Sequence, residues 1–277
     1  MNKKILLVLL ILAAAGLGYF ALSASSNQDA LPNIQTGSDL GSEATQINEE
    51  HHHDHDHEDH THDHSHEGTN ATSTNYQNVL GDLREATPLT INPAIGVRAI
   101  GNPNAPVKVT ELFSLTCSHC ATFHNTTYPL IKKNFVDTGK VYYVYQEFPL
   151  NAPALHASMI ARCLPEERYS GFISVLFKSQ EAWLSASDYK EPLRQNAKLA
   201  GMSDEEFDAC LENKDIQEAL AAVIQEASQK WEIKSTPSIV INDGERVITG
   251  AQAYPPMEHL LNAFLQRAAN TNNEVKE

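Results

Sequence analysis

Two cysteines separated by two residues, Cys117 and Cys120, stand where an apolar, β-branched run turns helical. The run APVKVTELFSL (105–115), with Val107, Val109 and Phe113, suits a buried strand. From Ser118 to about Phe135 the spacing becomes helical, with Pro129 inside it as a kink. A thiol pair at a strand-to-helix junction restricts the fold more than any other feature of the chain. The helix must return over the strand that precedes it. The second strong strand signal, GKVYYVYQEFPL (139–150), then lies parallel to the first through a right-handed crossover.

Residues 152–231 read as consecutive helices. ALHASMIARCL is one, stopped by Pro165, and GFISVLFKSQEAW is another. Ser203 followed by Glu206 is a capping-box pattern that opens the helix carrying Cys210. From Asp215 onward, Ile216, Leu220, Val223, Ile224, Ala227 and Trp231 recur at helical spacing and mark one buried face. SIVIN (238–242), the turn NDGE and RVIT (246–249) read as a hairpin, and a last helix covers about 255–269 before a polar tail at 271–277. The order strand, helix, strand, helical block, hairpin, helix specifies an α/β fold, a small mixed sheet with helices packed on it.

Upstream of about residue 88 the chain has no periodic apolar pattern. Lys3 and Lys4 precede an uncharged run from Ile5 to Ala24. That is the pattern of an export signal at 1–24, and the run is also long enough to span a bilayer. Cleavage and an uncleaved membrane tether at 5–24 stay open, and both put the rest of the chain in a periplasmic or other extracytoplasmic space. Residues 25–88 are polar, with scattered single apolar side chains, and read as a disordered linker. A tether of roughly 60 residues reaches about 40 Å. The folded domain is then expected at 89–270. The net charge is −15, and segment 49–67 holds eight of the acids with no Lys or Arg. No basic stripe stands out, so nucleic acid is not an expected partner.

Cys117 falls at a helix N-terminus, where unpaired N–H groups and the positive dipole end favour a thiolate. His119, between the cysteines, adds a donor or a positive charge. Cys120, one turn inward, suits a resolving thiol, so the pair can pass between dithiol and disulfide. The competing chemistry is zinc. Cys117, Cys120 and His124 fall near one helical face, so they offer three ligands if a fourth comes from elsewhere. Haem attachment is excluded because residue 121 is alanine. A purely structural Cys117–Cys120 bridge would close too short a loop to stabilise much.

The residues VTELFSLTCSHC, EFPL (147–150), the helical insertion at about 152–231 and STPS before the hairpin together resemble the DsbA family of thiol–disulfide oxidoreductases. The likeness extends over roughly residues 95–268. It implies a thioredoxin-like mixed sheet with an inserted helical domain. It implies a cis Thr236–Pro237 bond against the active-site cysteines, where a substrate backbone would pair. It implies that Glu111 matches the family's buried acid beneath the site. Ser118 departs from the family's commoner proline, while the histidine at 119 is kept. The implied activity is dithiol oxidation in exported proteins, with isomerase or reductase as the nearest variant. No cofactor is required for the thiol chemistry. Reduced exported proteins would be the substrates, and a membrane quinone-linked protein would restore the disulfide.

Cys163 and Cys210, on different predicted helices, are expected to pair in an oxidising compartment. Two buried free thiols are the alternative. The block HHHDHDHEDHTHDHSH (51–66) supplies His51, His52, His53, His55, His57, His60, His62, His64 and His66 among carboxylates. Such an arm binds zinc or another divalent metal without fixed geometry, or serves only as a solvated, pH-responsive linker. A metal-binding protein built on this arm is the rival to the enzyme.

Overall fold

The computed structural model describes residues 75–274, and the export-signal and histidine-block expectations lie outside them. Five strands form one mixed sheet in the order β1-β3-β2-β4-β5: β1 Arg98–Ile100, β2 Val107–Phe113, β3 Val141–Glu147, β4 Ser238–Ile241 and β5 Arg246–Thr249. β2 and β3 are parallel, pairing Val107 with Val141 through Phe113 with Glu147. β4 pairs antiparallel with β2 and with β5, and β1 closes the other edge antiparallel to β3. β2 and β4 are interior strands, and nearly all of their residues are buried because both of their faces are covered, Thr110 and Glu111 of β2 included.

Side chains alternate across the sheet. On one face Val109, Phe113, Tyr143, Tyr145, Ile239 and Ile241 join the main core, with Phe123, Ile131 and Phe135 from the first crossover. Met257, Leu261 and Phe264 of the last helix complete that layer. On the other face Leu112, Phe148 and Val240 pack with Ala227, Trp231 and Ile233. Six helices separate β3 from β4: α4 Ala152–Cys163, α5 Glu166–Lys178, α6 Gln180–Leu184, α7 Lys190–Leu199, α8 Asp204–Leu211 and α9 Lys214–Lys230. Ser203 and Glu206 close the expected capping box at α8. The apolar stripe on α9 serves both layers, with Ile216, Leu220 and Val223 in the main core and Ala227 in the second.

Four boundaries differ from the sequence reading. The crossover is not one kinked helix but α2 Ser118–Thr126, α3 Tyr128–Ile131 with Pro129 in its first turn, and a π-helical turn Lys132–Val136. Proline has no N–H to continue the α2 ladder, so a new helix begins there. GFISVLFKSQEAW is broken at Ser179, where φ −103° and ψ 18° separate α5 from α6. The last helix, α10, runs Tyr254–Glu274, into the expected tail. The ordered part also begins before residue 88. A short helix, α1 Asn75–Leu80, lies against α10, and Leu80 is 1% exposed. Beyond it, Arg84 and Thr87 donate backbone hydrogen bonds to the carbonyls of Glu245 and Asp243. One buried leucine and two backbone bonds anchor a segment whose composition alone could not form a core.

Candidate active site

β2 ends at Phe113, and four residues later Cys117 caps α2. Its φ/ψ of −84°/119° is the extended conformation of an N-cap, and its sulfur accepts from the backbone N–H of Cys120 at 3.4 Å. Sulfur thus fills the place that a serine or aspartate oxygen takes at most helix starts. Cys117 is partly exposed, while Cys120 is fully buried, and both are free thiols. Ser118 and His119 between them face solvent.

The surroundings push the two thiols in opposite directions. Cys117 is lowered from about 9 to about 5, first by the hydrogen bond from the Cys120 thiol. Burial opposes this, and Thr236 with the backbone N–H groups of Cys120 and His119 adds to it. Cys120 is pushed far up, chiefly by burial, then by its bond to Cys117, with the nearby Glu111 charge acting in the same sense. The outer sulfur is therefore an anion at neutral pH and the inner one keeps its proton.

Thr236 precedes Pro237 through a cis peptide bond. Its carbonyl lies 3.3 Å from the Cys117 sulfur and accepts from the protonated thiol. Its hydroxyl is buried and finds no nitrogen or oxygen partner. The loop bearing both groups is held where β4 begins, with the Pro237 carbonyl accepting from Gly250 N–H at 2.8 Å.

Glu111 on β2 is completely buried on the α2 side of the sheet. Tyr143 donates its hydroxyl to Glu111 Oε2 at 2.7 Å, and Oε1 has no partner. His124 Nδ1 stands 3.7 Å from the same Oε2. The sequence left His124 open as a zinc ligand, a helix-surface histidine or a satisfied interior one. It is the interior histidine: 3% exposed, stacked on Tyr128 with ring centroids 4.1 Å apart, its Nε2 3.2 Å from Ser174 Oγ. The helical face from Cys117 to His124 is thus turned into the interior. Among the described residues no group of three His, Cys, Asp or Glu is gathered to hold a metal ion, which removes the Cys117–Cys120–His124 zinc site.

Cys163 and Cys210 are joined as a disulfide between α4 and α8. Next to it, Arg162 is buried with Glu147 at the end of β3. Arg162 Nε bonds both carboxylate oxygens at 2.7 and 2.8 Å, and Tyr169 donates to Oε1 at 2.7 Å. The same guanidinium donates to the carbonyls of Ile95 and Gly96, fastening the segment before β1. Sequence reasoning missed Arg162, because nothing in a linear pattern shows that an arginine in a helix faces inward. It also missed Gln180, whose side chain reaches the Cys117 loop.

A family model described as thioredoxin matches residues 94–263. A candidate protein-disulfide oxidoreductase of Rickettsia typhi is 35% identical over 144 residues, 52% of this chain and 53% of that protein. The chain therefore spans about half the length of that relative. A protein of Rickettsia felis with the same description is 28% identical over 218 residues, 78% of this chain and 76% of that protein. Among solved structures, alpha-DsbA1 of Wolbachia pipientis superposes with a TM-score of 0.59 at 28% identity, covering 63% of this chain and 94% of that one. DsbA of Chlamydia trachomatis, at 20% identity and a TM-score of 0.55 over 68% of this chain and 98% of its own, shares the fold.

Proposed function

The chain belongs to the thioredoxin family in its DsbA-like form, and from that premise we propose that it is an exported thiol–disulfide oxidoreductase acting as a dithiol oxidase. The observation that carries the reading is the placement of the two sulfurs. Cys117, partly exposed, caps α2 beside the cis Thr236–Pro237 bond and accepts from Cys120 N–H, while Cys120 is buried one turn inward, which lowers the first thiol and raises the second. A stabilised Cys117 thiolate makes the reduced protein the favoured product, and a disulfide that is easily reduced is a strong oxidant.

In the proposed cycle a substrate thiolate attacks the Cys117 sulfur of the Cys117–Cys120 disulfide. The bond to Cys120 breaks, and Cys120 takes the electron pair and a proton. A second substrate thiolate attacks the substrate sulfur of the mixed disulfide, and Cys117 leaves as thiolate. The substrate has lost two electrons and the protein has gained them. Thr236 and the cis Pro237 offer the backbone against which a substrate chain would lie. Cys163 and Cys210 act as a structural bridge. Reduced exported proteins are the proposed substrates, and a membrane quinone-linked protein the proposed reoxidant. An extracytoplasmic location fits the 1–24 segment and a disulfide at Cys163–Cys210.

The test is stoichiometric. Oxidised protein mixed with a reduced, unfolded two-disulfide protein should transfer one disulfide per molecule. Cys117→Ala and Cys120→Ala, neither of which can form the disulfide, should each transfer none. Rearrangement of a scrambled substrate without net oxidation would instead mark an isomerase. A Cys117 thiol titrating near 9 would remove the basis of the proposal.

A further inference from the structure

Gln180 is the first residue of α6, just after the break at Ser179 that interrupts α5 and α6. Its Nε2 donates to two backbone carbonyls, Leu115 O at 2.8 Å and Cys117 O at 3.0 Å. A primary amide has two N–H hydrogens, one for each carbonyl, and carries no charge. Among the described residues Leu115 O has no other hydrogen-bond donor, whereas Cys117 O also takes the first α2 bond from Ala121 N–H at 3.1 Å. The two carbonyls flank Thr116. One side chain of the helical insertion thus ties together two backbone carbonyls of the short turn that carries the nucleophile.

We propose that Gln180 is a positioning residue for Cys117: by clamping the carbonyls of Leu115 and Cys117 it fixes the N-cap torsion that aims the sulfur at the Cys120 N–H. The proposal rests on the reading of Cys117 and Cys120 as the redox pair. The physical link is the angle. An N-cap group bonds the helix N-terminus only while its own φ/ψ stays extended; buried Leu115 anchors the loop before it, and the Gln180 amide fixes the loop's carbonyls on either side of the Thr116–Cys117 step. Two further contacts join α2 to the same part of the insertion, Asn125 Nδ2 to Phe177 O at 3.3 Å and His124 to Ser174. They lie a turn or two along α2, so they hold the helix; Asn151 holds the Thr116 side chain in the turn before it at 3.0 Å, and Gln180 holds that turn's backbone carbonyls. A lysine or arginine could also donate twice, but would place a full positive charge beside the thiolate. The neutral amide separates geometry from charge. The insertion thereby acts on the redox couple through bond angles, and its sequence at 180 tunes the oxidising strength.

The test compares the full-length protein with Gln180→Met, which keeps an unbranched helix-compatible side chain and removes both donors. Cys117 ionisation is followed by thiolate absorbance against pH, and the dithiol–disulfide equilibrium is measured in glutathione buffers. The expected result is a rise of about one unit in the Cys117 midpoint and a roughly tenfold shift of the equilibrium toward the disulfide, about 30 mV. An unchanged midpoint and equilibrium in a folded Gln180→Met protein overturns the proposal. Should that variant not fold, Gln180→Leu, likewise neutral and without donors to either carbonyl, must raise the midpoint in the same sense, and an unmoved midpoint there overturns the proposal equally. A wild-type Cys117 that titrates near 9 would sink the functional reading itself. A wild-type value near 5, shared by both variants, would sink only the role of Gln180.

Discussion

Acidification through pH 5 should change how many protons accompany reduction of the Cys117–Cys120 disulfide. Cys117 lies at about 5 and Cys120 far above the neutral range. Reduction at pH 7 therefore takes up one proton, on Cys120, and below pH 5 it takes up two. Each proton changes a two-electron equilibrium tenfold per pH unit, which is about 30 mV. The potential should fall by about 30 mV per pH unit between pH 6 and 8 and by about 60 mV per unit below pH 5. The same ionisation acts on stability. The folded pKa is depressed below that of the unfolded thiol, so its contribution to the reduced protein is complete above about pH 9 and is lost as the pH falls through 5. Cys117 is partly exposed, and after discounting for solvent screening the contribution at pH 7 is about 1–2 kcal/mol. The assay equilibrates the protein with glutathione couples from pH 4 to 8, traps free thiols by alkylation and counts them by mass. One slope of about 60 mV throughout, or a break above pH 7, would refute the reasoning.

Other expectations address the scaffold. Replacing both Cys163 and Cys210 by alanine opens a closure of 47 residues and should cost up to about 4 kcal/mol, lowering the melting temperature by about 10 °C. A melting point within a degree of the parent would contradict this. Arg162→Met leaves the Glu147 carboxylate buried without its cation, so chemical denaturation should show a loss of about 3–5 kcal/mol. Leu80→Ala should cost about 2–5 kcal/mol if the segment before residue 88 belongs to the fold. A loss below about 0.5 kcal/mol would return that segment to the linker.

The strand-to-helix junction, the parallel pair of strands, the hairpin and the capping box were legible because each rests on local chemistry. Alternating or continuous apolar residues define the strands, Ser203 with Glu206 defines a helix start, and two cysteines at a helix N-terminus define a reactive pair. β1 was not legible, since three residues are too few for a period and its pairing with β3 is supplied by the rest of the sheet. Nor was α1, whose one buried leucine gains meaning only when α10 is beside it.

The same division holds at the site. The linear order of residues determined that Cys117 would sit where backbone N–H groups converge, because that follows from its place at the start of a helix. Only the packed structure decided that His124 turns inward toward Glu111, that Arg162 neutralises Glu147, and that Gln180 crosses 63 positions of chain to hold the Cys117 carbonyl. Those three depend on which face of one element meets another. That choice is made by the total burial of the core, and no short window of sequence contains it.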